Sequence, residues 1–146
     1  RCLLVQDELA GLGLDTVPGY TPRPEEGPYP LVMVSAKTAL HFLNSSYTML
    51  PRHARREPPL VQVDPDDADR RGIATGDRVR VFNERGSIEL EAQVGREVRP
   101  GVVSIPHGHW RSLSGGSAND LTSDGLADLG GGGDFYGTRV EVVRVP

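Results

Sequence analysis

Arg78-Val79-Arg80-Val81-Phe82-Asn83-Glu84-Arg85-Gly86-Ser87-Ile88-Glu89-Leu90-Glu91 is the stretch whose reading decides the fold. Apolar and charged residues alternate on both sides of a polar turn, the period-two pattern of half-buried strands. With Glu84 and Arg85 as the loop, Val81 faces Ile88 and Val79 faces Leu90 on one side of the ribbon. On the other side Arg80 faces Glu89 and Arg78 faces Glu91. Both faces demand the same register. Each charge pair contributes only about 0.2–1 kcal/mol, so the apolar face sets the pairing and the charges oppose slippage.

Upstream of this hairpin, Asp64-Pro65-Asp66-Asp67-Ala68-Asp69-Arg70-Arg71-Gly72 carries the parts of a short helix in order. Asp64 is suited to cap the first turn, Pro65 to the first helical position, and Gly72 to a left-handed stop. Thr75-Gly76-Asp77 then turns the chain into the hairpin. Further strands are expected at Leu31–Ser35, Leu60–Val63, Val102–Ile105 and Thr138–Val145. The continuous apolar run Leu31-Val32-Met33-Val34 suggests burial on both faces. In the last strand the alternation breaks at Val143, by a bulge or by a change of exposure. Thr38 to Leu43 has room for a helical turn. Six strands around one capped helix favour a small closed barrel, because closure removes exposed edges. Gly108 to Gly137 reads as a long polar loop containing Gly130-Gly131-Gly132-Gly133, and a loop of that length in a compact domain is functional or disordered.

With 146 residues the chain has the size of one domain. Residues 1–29, interrupted by Pro22-Arg23-Pro24-Glu25-Glu26-Gly27-Pro28, read as a linker or lead-in without regular structure, and residues 30–146 as the globular domain. Eighteen glycines and twelve prolines favour short strands and tight turns. A net charge of −4 argues against a nucleic-acid binder. No stretch approaches the about 18 continuous apolar residues of a membrane span. Cys2 is the single cysteine, so neither an intrachain disulfide nor a thiolate or iron–sulfur site is expected from this chain. The beginning, Arg1-Cys2-Leu3-Leu4-Val5, lacks an initiator Met and a secretory signal, and reads as a piece of a longer chain. The expected compartment is the cytoplasm.

Several pieces in this order resemble the molybdopterin dinucleotide-binding domain that ends the large subunits of the dimethyl sulfoxide reductase family of molybdenum and tungsten oxidoreductases. They are Ser35-Ala36-Lys37 through His41 to Asn44-Ser45-Ser46, Val63-Asp64-Pro65-Asp66-Asp67-Ala68, and Arg71-Gly72-Ile73-Ala74-Thr75-Gly76-Asp77-Arg78-Val79. Arg85-Gly86, Val98-Arg99-Pro100-Gly101-Val102-Val103 and Asn119-Asp120-Leu121-Thr122 follow. The resemblance covers about residues 30–146, and Gly13-Leu14-Asp15-Thr16-Val17-Pro18-Gly19-Tyr20 looks like the exit from the family's preceding catalytic domain. It implies a mainly β fold, a six-stranded double-psi β-barrel with short helices, related to the aspartate decarboxylase barrel. It further implies a domain that lies across molybdopterin guanine dinucleotide. The molybdenum or tungsten, its protein ligand and an iron–sulfur cluster would then be held by preceding domains of the same polypeptide, and the isolated domain would be inactive.

By the same resemblance the cofactor contacts fall on Ser35, Ala36, Lys37, His41, Asn44, Ser45 and Ser46, on His107 and Gly108, and on Asn119. No catalytic residue and no metal ligand is implied here. Lys37 stands where many members have Arg, which implies a point-charge contact instead of a bidentate one. Asn119 matches a pterin-facing asparagine, whose amide donates and accepts at once.

Plainer readings stand beside these. Asn44-Ser45-Ser46 could simply terminate a helical turn. His107 and His109 would share a strand face, but no third ligand completes a metal site, and Trp110 beside them reads as a packed aromatic. Arg52-His53-Ala54-Arg55-Arg56 reads as a solvated loop, or as an anion or partner-domain contact. The four glycines lack the Lys-Ser/Thr of a P-loop. Two other functions use the same barrel: a protein-interaction module like those of certain ATPases, and a decarboxylase that self-cleaves at a Gly-Ser bond such as Gly86-Ser87 or Gly116-Ser117.

Overall fold

The computed structural model describes residues 5–17, 19–20, 27–40, 47–126, 131–133 and 137–146. Six strands, β1 (Leu31–Ala36), β2 (Leu60–Val63), β3 (Arg78–Phe82), β4 (Ser87–Val94), β5 (Val102–Pro106) and β6 (Arg139–Arg144), close into a barrel in the order β1-β5-β2-β4-β3-β6. The β1/β5 and β2/β4 pairs are parallel and the other pairs antiparallel. Renumbering each strand of the first half as its counterpart in the second, β1 as β4, β2 as β5 and β3 as β6, reproduces the same neighbours. This is the two-fold relation of a double-psi β-barrel.

The hairpin has the expected register, with Val79 opposite Leu90, Val81 opposite Ile88, Arg78 opposite Glu91 and Arg80 opposite Glu89. Its charges pair differently. Arg78 Nε reaches diagonally to Glu89 at 3.4 Å, and the Arg80 guanidinium lies over the Phe82 ring. Both arrangements use the outer face, where long side chains are free to choose among neighbours. Val79, Val81, Ile88 and Leu90 enter the core with Leu31, Met33, Val61, Val63, Val103, Ile105, Val140 and Val142.

β1 is not buried on both faces. Leu31 and Met33 are buried, whereas Val34 is 38% exposed. A strand in a small barrel has one face on the core and one outside, whatever its composition. β6 keeps register through Val143, which pairs with Arg80 and lies partly exposed between buried Val142 and exposed Arg144. Its break in alternation is therefore a change of exposure, not a bulge.

Short helices join the strands: α1 (Pro51–Arg56), α2 (Pro65–Asp69) and α3 (Arg111–Ser114). In α2 the Asp64 carboxylate accepts from Asp66 N at 2.9 Å, Pro65 opens the first turn, and Gly72 follows at φ +63°. The arginine-rich stretch is α1 and not a loop, because Pro51 preorganises its first turn and His53 N and Ala54 N both donate to Leu50 O. Asp7–Leu12, where no regular structure is expected, forms a 3-10 helix, and Gly13 N closes it on Ala10 O at φ +73°. Gly108 to Gly137 is likewise not one loop. It contains α3, a 3-10 turn at Ala118–Asp120 and an isolated bridge between Leu126 and Gly133. Thr38–Leu40 is not helical, and the rest of that expected turn lies outside the described residues.

Strand direction fixes where each connection falls. β1, β3 and β5 all run one way and β2, β4 and β6 the other. The connections that leave the odd strands therefore all lie at one end of the barrel. Those that leave β2 and β4, including α2, lie at the opposite end.

Candidate functional site

Parallel pairing of β1 with β5 sets Ser35 beside Ile105 and Ala36 beside Pro106, so the two strands finish together. His107 N donates to Ala36 O at 3.1 Å, and His107 Nδ1 lies 3.3 Å from Ser35 O. Two sequence pieces about 70 residues apart, Ser35-Ala36-Lys37 and His107-Gly108, are thereby one rim. Gly108 turns the chain away at φ +87°. β5 has already ended at Pro106, so His107 and His109 are not two residues on one face of a strand.

Asn119 arrives at the same end by a different route. Ser117 caps the 3-10 turn: its hydroxyl accepts from Asn119 N at 3.3 Å, while Ser117 N donates to the Asp120 carboxylate at 3.0 Å. The turn seats on the tip of the β3/β4 hairpin, which also lies at the odd end. A Cβ on Gly86 would stand 2.7 Å from Asp120 O, and one on Gly116 would stand 2.6 Å from Ile88 Cγ2. Both glycines of the two Gly-Ser dipeptides thus have an architectural reason to be glycine.

Asn83 is the residue that sequence reasoning missed. It is buried; its Oδ1 accepts from Arg85 N and Gly86 N, and its Nδ2 donates to Leu121 O and Arg139 O. It therefore locks the hairpin tip to the Asn119 element and to the start of β6. An asparagine entering a two-residue hairpin was the available signal, but its distant acceptors were not legible.

The chemistry presented at this end is polar and accessible. Ser35, Lys37 and Asn119 are exposed, while Ala36, His107 and Gly108 are half-buried. His107 Nε2 is buried and meets no hydrogen-bond partner among the described residues. A hydroxyl, an ammonium and an amide suit a ligand with phosphate oxygens and a heteroaromatic ring of mixed donors and acceptors. His41, Asn44, Ser45 and Ser46 lie outside the described residues. Among the described residues no group of three His, Cys, Asp or Glu side chains is placed to hold a metal ion.

The surrounding surface is polarised. From Gly27 onward, the exposed large hydrophobics among the described residues are Val34, Tyr47, Met49, Leu50, Trp110, Leu113 and Leu126. All but Val34 lie on connections leaving β1 or β5, and Val34 is two residues from the end of β1. Trp110 is half exposed and not packed as expected, because the chain leaves the barrel at Gly108 before reaching it. The Glu57 carboxylate ties α1 to this end by accepting from Ala39 N and Leu40 N at 3.0 and 3.1 Å. It brings exposed Arg52, Arg55 and Arg56 with it. No helix among the described residues is long and apolar enough to cross a membrane.

Residues 31–139 match the family described as "Molydopterin dinucleotide binding domain". The chain is 35% identical over 145 residues to the probable oxidoreductase YoaE of Bacillus subtilis, covering 97% of this chain and 21% of that protein. It is 33% identical over 146 residues to the dimethyl sulfoxide reductase DmsA of Escherichia coli, covering 90% and 18%. It thus spans about a fifth of the length of these curated relatives. Among solved structures, acetylene hydratase from Pelobacter acetylenicus superposes with a TM-score of 0.81 at 21% identity, over 97% of this chain and 23% of that one, a likeness of fold. A closed six-stranded barrel matched over most of its length in this way belongs to the molybdopterin dinucleotide-binding domain family of dimethyl sulfoxide reductase-type oxidoreductases.

Proposed function

We propose that this domain holds molybdopterin guanine dinucleotide along the barrel end where β1 and β5 finish, and that it forms one wall of an active-site cleft. The observation that carries this reading is the convergence of Ser35–Lys37, His107–Gly108 and Asn119 on that single end. Lys37 supplies a point charge to the pyrophosphate, Ser35 a hydroxyl, and Asn119 an amide that donates and accepts on the pterin. When bound, the group supplies redox chemistry at its molybdenum or tungsten, while this chain binds and orients.

The metal's protein ligand and an iron–sulfur cluster belong, on this reading, to other domains of the same polypeptide. The exposed apolar side chains around the same end are the surface those domains would cover. The 146-residue chain alone is expected to show no turnover.

Titrating the ¹⁵N-labelled chain with molybdopterin guanine dinucleotide tests the reading. Amide shifts confined to residues 35–46, 107–108 and 119–122 support it. Shifts centred on α2 and the turns at the opposite end, or none at all, overturn it.

A further inference from the structure

The exposed apolar side chains around the odd end of the barrel fall into two groups that differ in charge. Trp110 and Leu113 flank Arg111 in sequence, and that guanidinium is already met by the Asp120 carboxylate. Tyr47, Met49 and Leu50 instead lead into α1, whose Arg52, Arg55 and Arg56 are exposed and make no hydrogen bond or ion pair among the described residues. Elsewhere Arg70, Arg71, Arg78, Arg96 and Arg144 each lie within ion-pair distance of a carboxylate. Glu57, the acid nearest to α1 in sequence, turns its oxygens to Ala39 N and Leu40 N. In a chain of net charge −4, α1 therefore gathers positive charge that no described carboxylate balances.

The three charges act together because residues i, i+3 and i+4 share one face of a helix. Like charges at that spacing destabilise the helix, and its dipole accounts only for Arg55 and Arg56 in the last turn. The segment is nonetheless firmly held. Leu50 N donates to Tyr47 O, His53 N and Ala54 N donate to Leu50 O, and the Tyr47 ring lies 5.6 Å from that of His53. Tyr47 adopts φ +72°, a left-handed backbone that is costly for a bulky side chain. Tyr, Met and Arg are the residues that set interfaces apart from ordinary surface, and a backbone fixed in advance lowers the entropy lost on binding.

We propose that Tyr47–Arg56 is a docking surface for a separate, acidic protein, whose carboxylates meet Arg52, Arg55 and Arg56 around an apolar anchor seated on Met49 and Leu50. A permanently buried contact would have to desolvate three guanidiniums, each needing an acid of its own. A charged rim suits an association that forms and dissociates, because charge steers the encounter. The proposal stands apart from where the dinucleotide sits. It leaves Trp110, Leu113 and Leu126 to other domains of the polypeptide.

Three probes added to the ¹⁵N-labelled 146-residue chain test it: a peptide of Glu and Leu, a peptide of Lys and Leu, and polyglutamate. The Glu/Leu peptide should shift the amides of residues 47–57 and bind more tightly than polyglutamate, and the Lys/Leu peptide should leave them unmoved. Combining Arg52→Ala, Arg55→Ala and Arg56→Ala should weaken the Glu/Leu peptide about tenfold at low salt, a difference that shrinks as salt is raised. Should that variant not fold, Arg55→Glu alone carries the same direction.

Equal binding of the Lys/Leu peptide, shifts centred on Trp110 and Leu113, polyglutamate binding as tightly as the Glu/Leu peptide, or no binding at all overturns the proposal. Phenylglyoxal labelling of the three arginines separates a separate partner from an interdomain contact. They should react as readily in a polypeptide that carries the other domains as in the 146-residue chain. Protection there before any partner is added overturns the proposal. The dinucleotide titration is read on residues 35–46, 107–108 and 119–122, so either reading can fail alone.

Discussion

The side-chain amide of Asn83 donates to the carbonyl oxygen of Leu121 at 2.8 Å, joining the tip of the β3/β4 hairpin to the element that carries Asn119. A second bond to Arg139 O at 3.1 Å ties in the first residue of β6. Truncating Asn83 would strand these acceptors and the two loop N–H groups that its Oδ1 serves. Asn83→Ala is expected to lower stability by about 1–3 kcal/mol, read by urea denaturation. The amides of residues 117–122 should shift in the native spectrum. An unchanged midpoint would show that the tip is held by packing alone.

The contact of Gly116 with Ile88 is steric, and its prediction is a coupling. A Cβ at 116 would lie 2.6 Å from Ile88 Cγ2, so Gly116→Ala is expected to cost about 1–3 kcal/mol by overpacking. Ile88→Ala removes the obstructing methyl at the cost of a cavity. In that background the alanine at 116 should cost at least about 0.5 kcal/mol less, a positive coupling in a double-mutant cycle. Strict additivity would place the strain elsewhere.

At the opposite end, Asp67 organises a separate network. Its buried carboxylate accepts from Gly101 N at 2.6 Å and from Arg70 Nη1 at 3.1 Å, with Arg71 Nη1 at 3.7 Å. Asp67→Asn keeps the shape and removes the charge, with an expected loss of about 1.5–3 kcal/mol. Because this network is scaffold, dinucleotide affinity measured well below the melting transition should be unchanged. A parallel loss of affinity would mean that the two ends are mechanically coupled.

Lys37 and Asn119 are expected to behave in the reverse way. Both side chains are exposed, and among the described residues neither makes a hydrogen bond or an ion pair. Lys37→Ala and Asn119→Ala should each leave stability within about 0.5 kcal/mol of the unsubstituted chain. Each should weaken dinucleotide binding several-fold by calorimetric titration. The Lys37 effect should shrink as salt is raised, because an exposed charge is screened, while the Asn119 effect should persist. Loss of stability without loss of affinity would remove either residue from the site.

What the sequence by itself determined was local or periodic. The hairpin register was legible in Arg78–Glu91 because alternating side chains on two faces overdetermine a pairing whose partners are joined by a two-residue loop. The Asp64 cap and the Gly72 turn were legible because backbone geometry there is dictated by residue type. Family motifs marked Ser35, His107 and Asn119 as candidates without locating them relative to one another. Only the tertiary structure decided that β1 lies parallel to β5, so that Ser35 and His107 meet, and that Asn83 binds Leu121 across the chain. A parallel pairing leaves no turn between its strands to read, and a buried amide chooses acceptors that are distant in sequence. Barrel closure supplied the remaining constraint. Once six alternating strands share one ring, every connection leaving an odd strand must emerge at the same end, and the candidate site is the place where those connections meet.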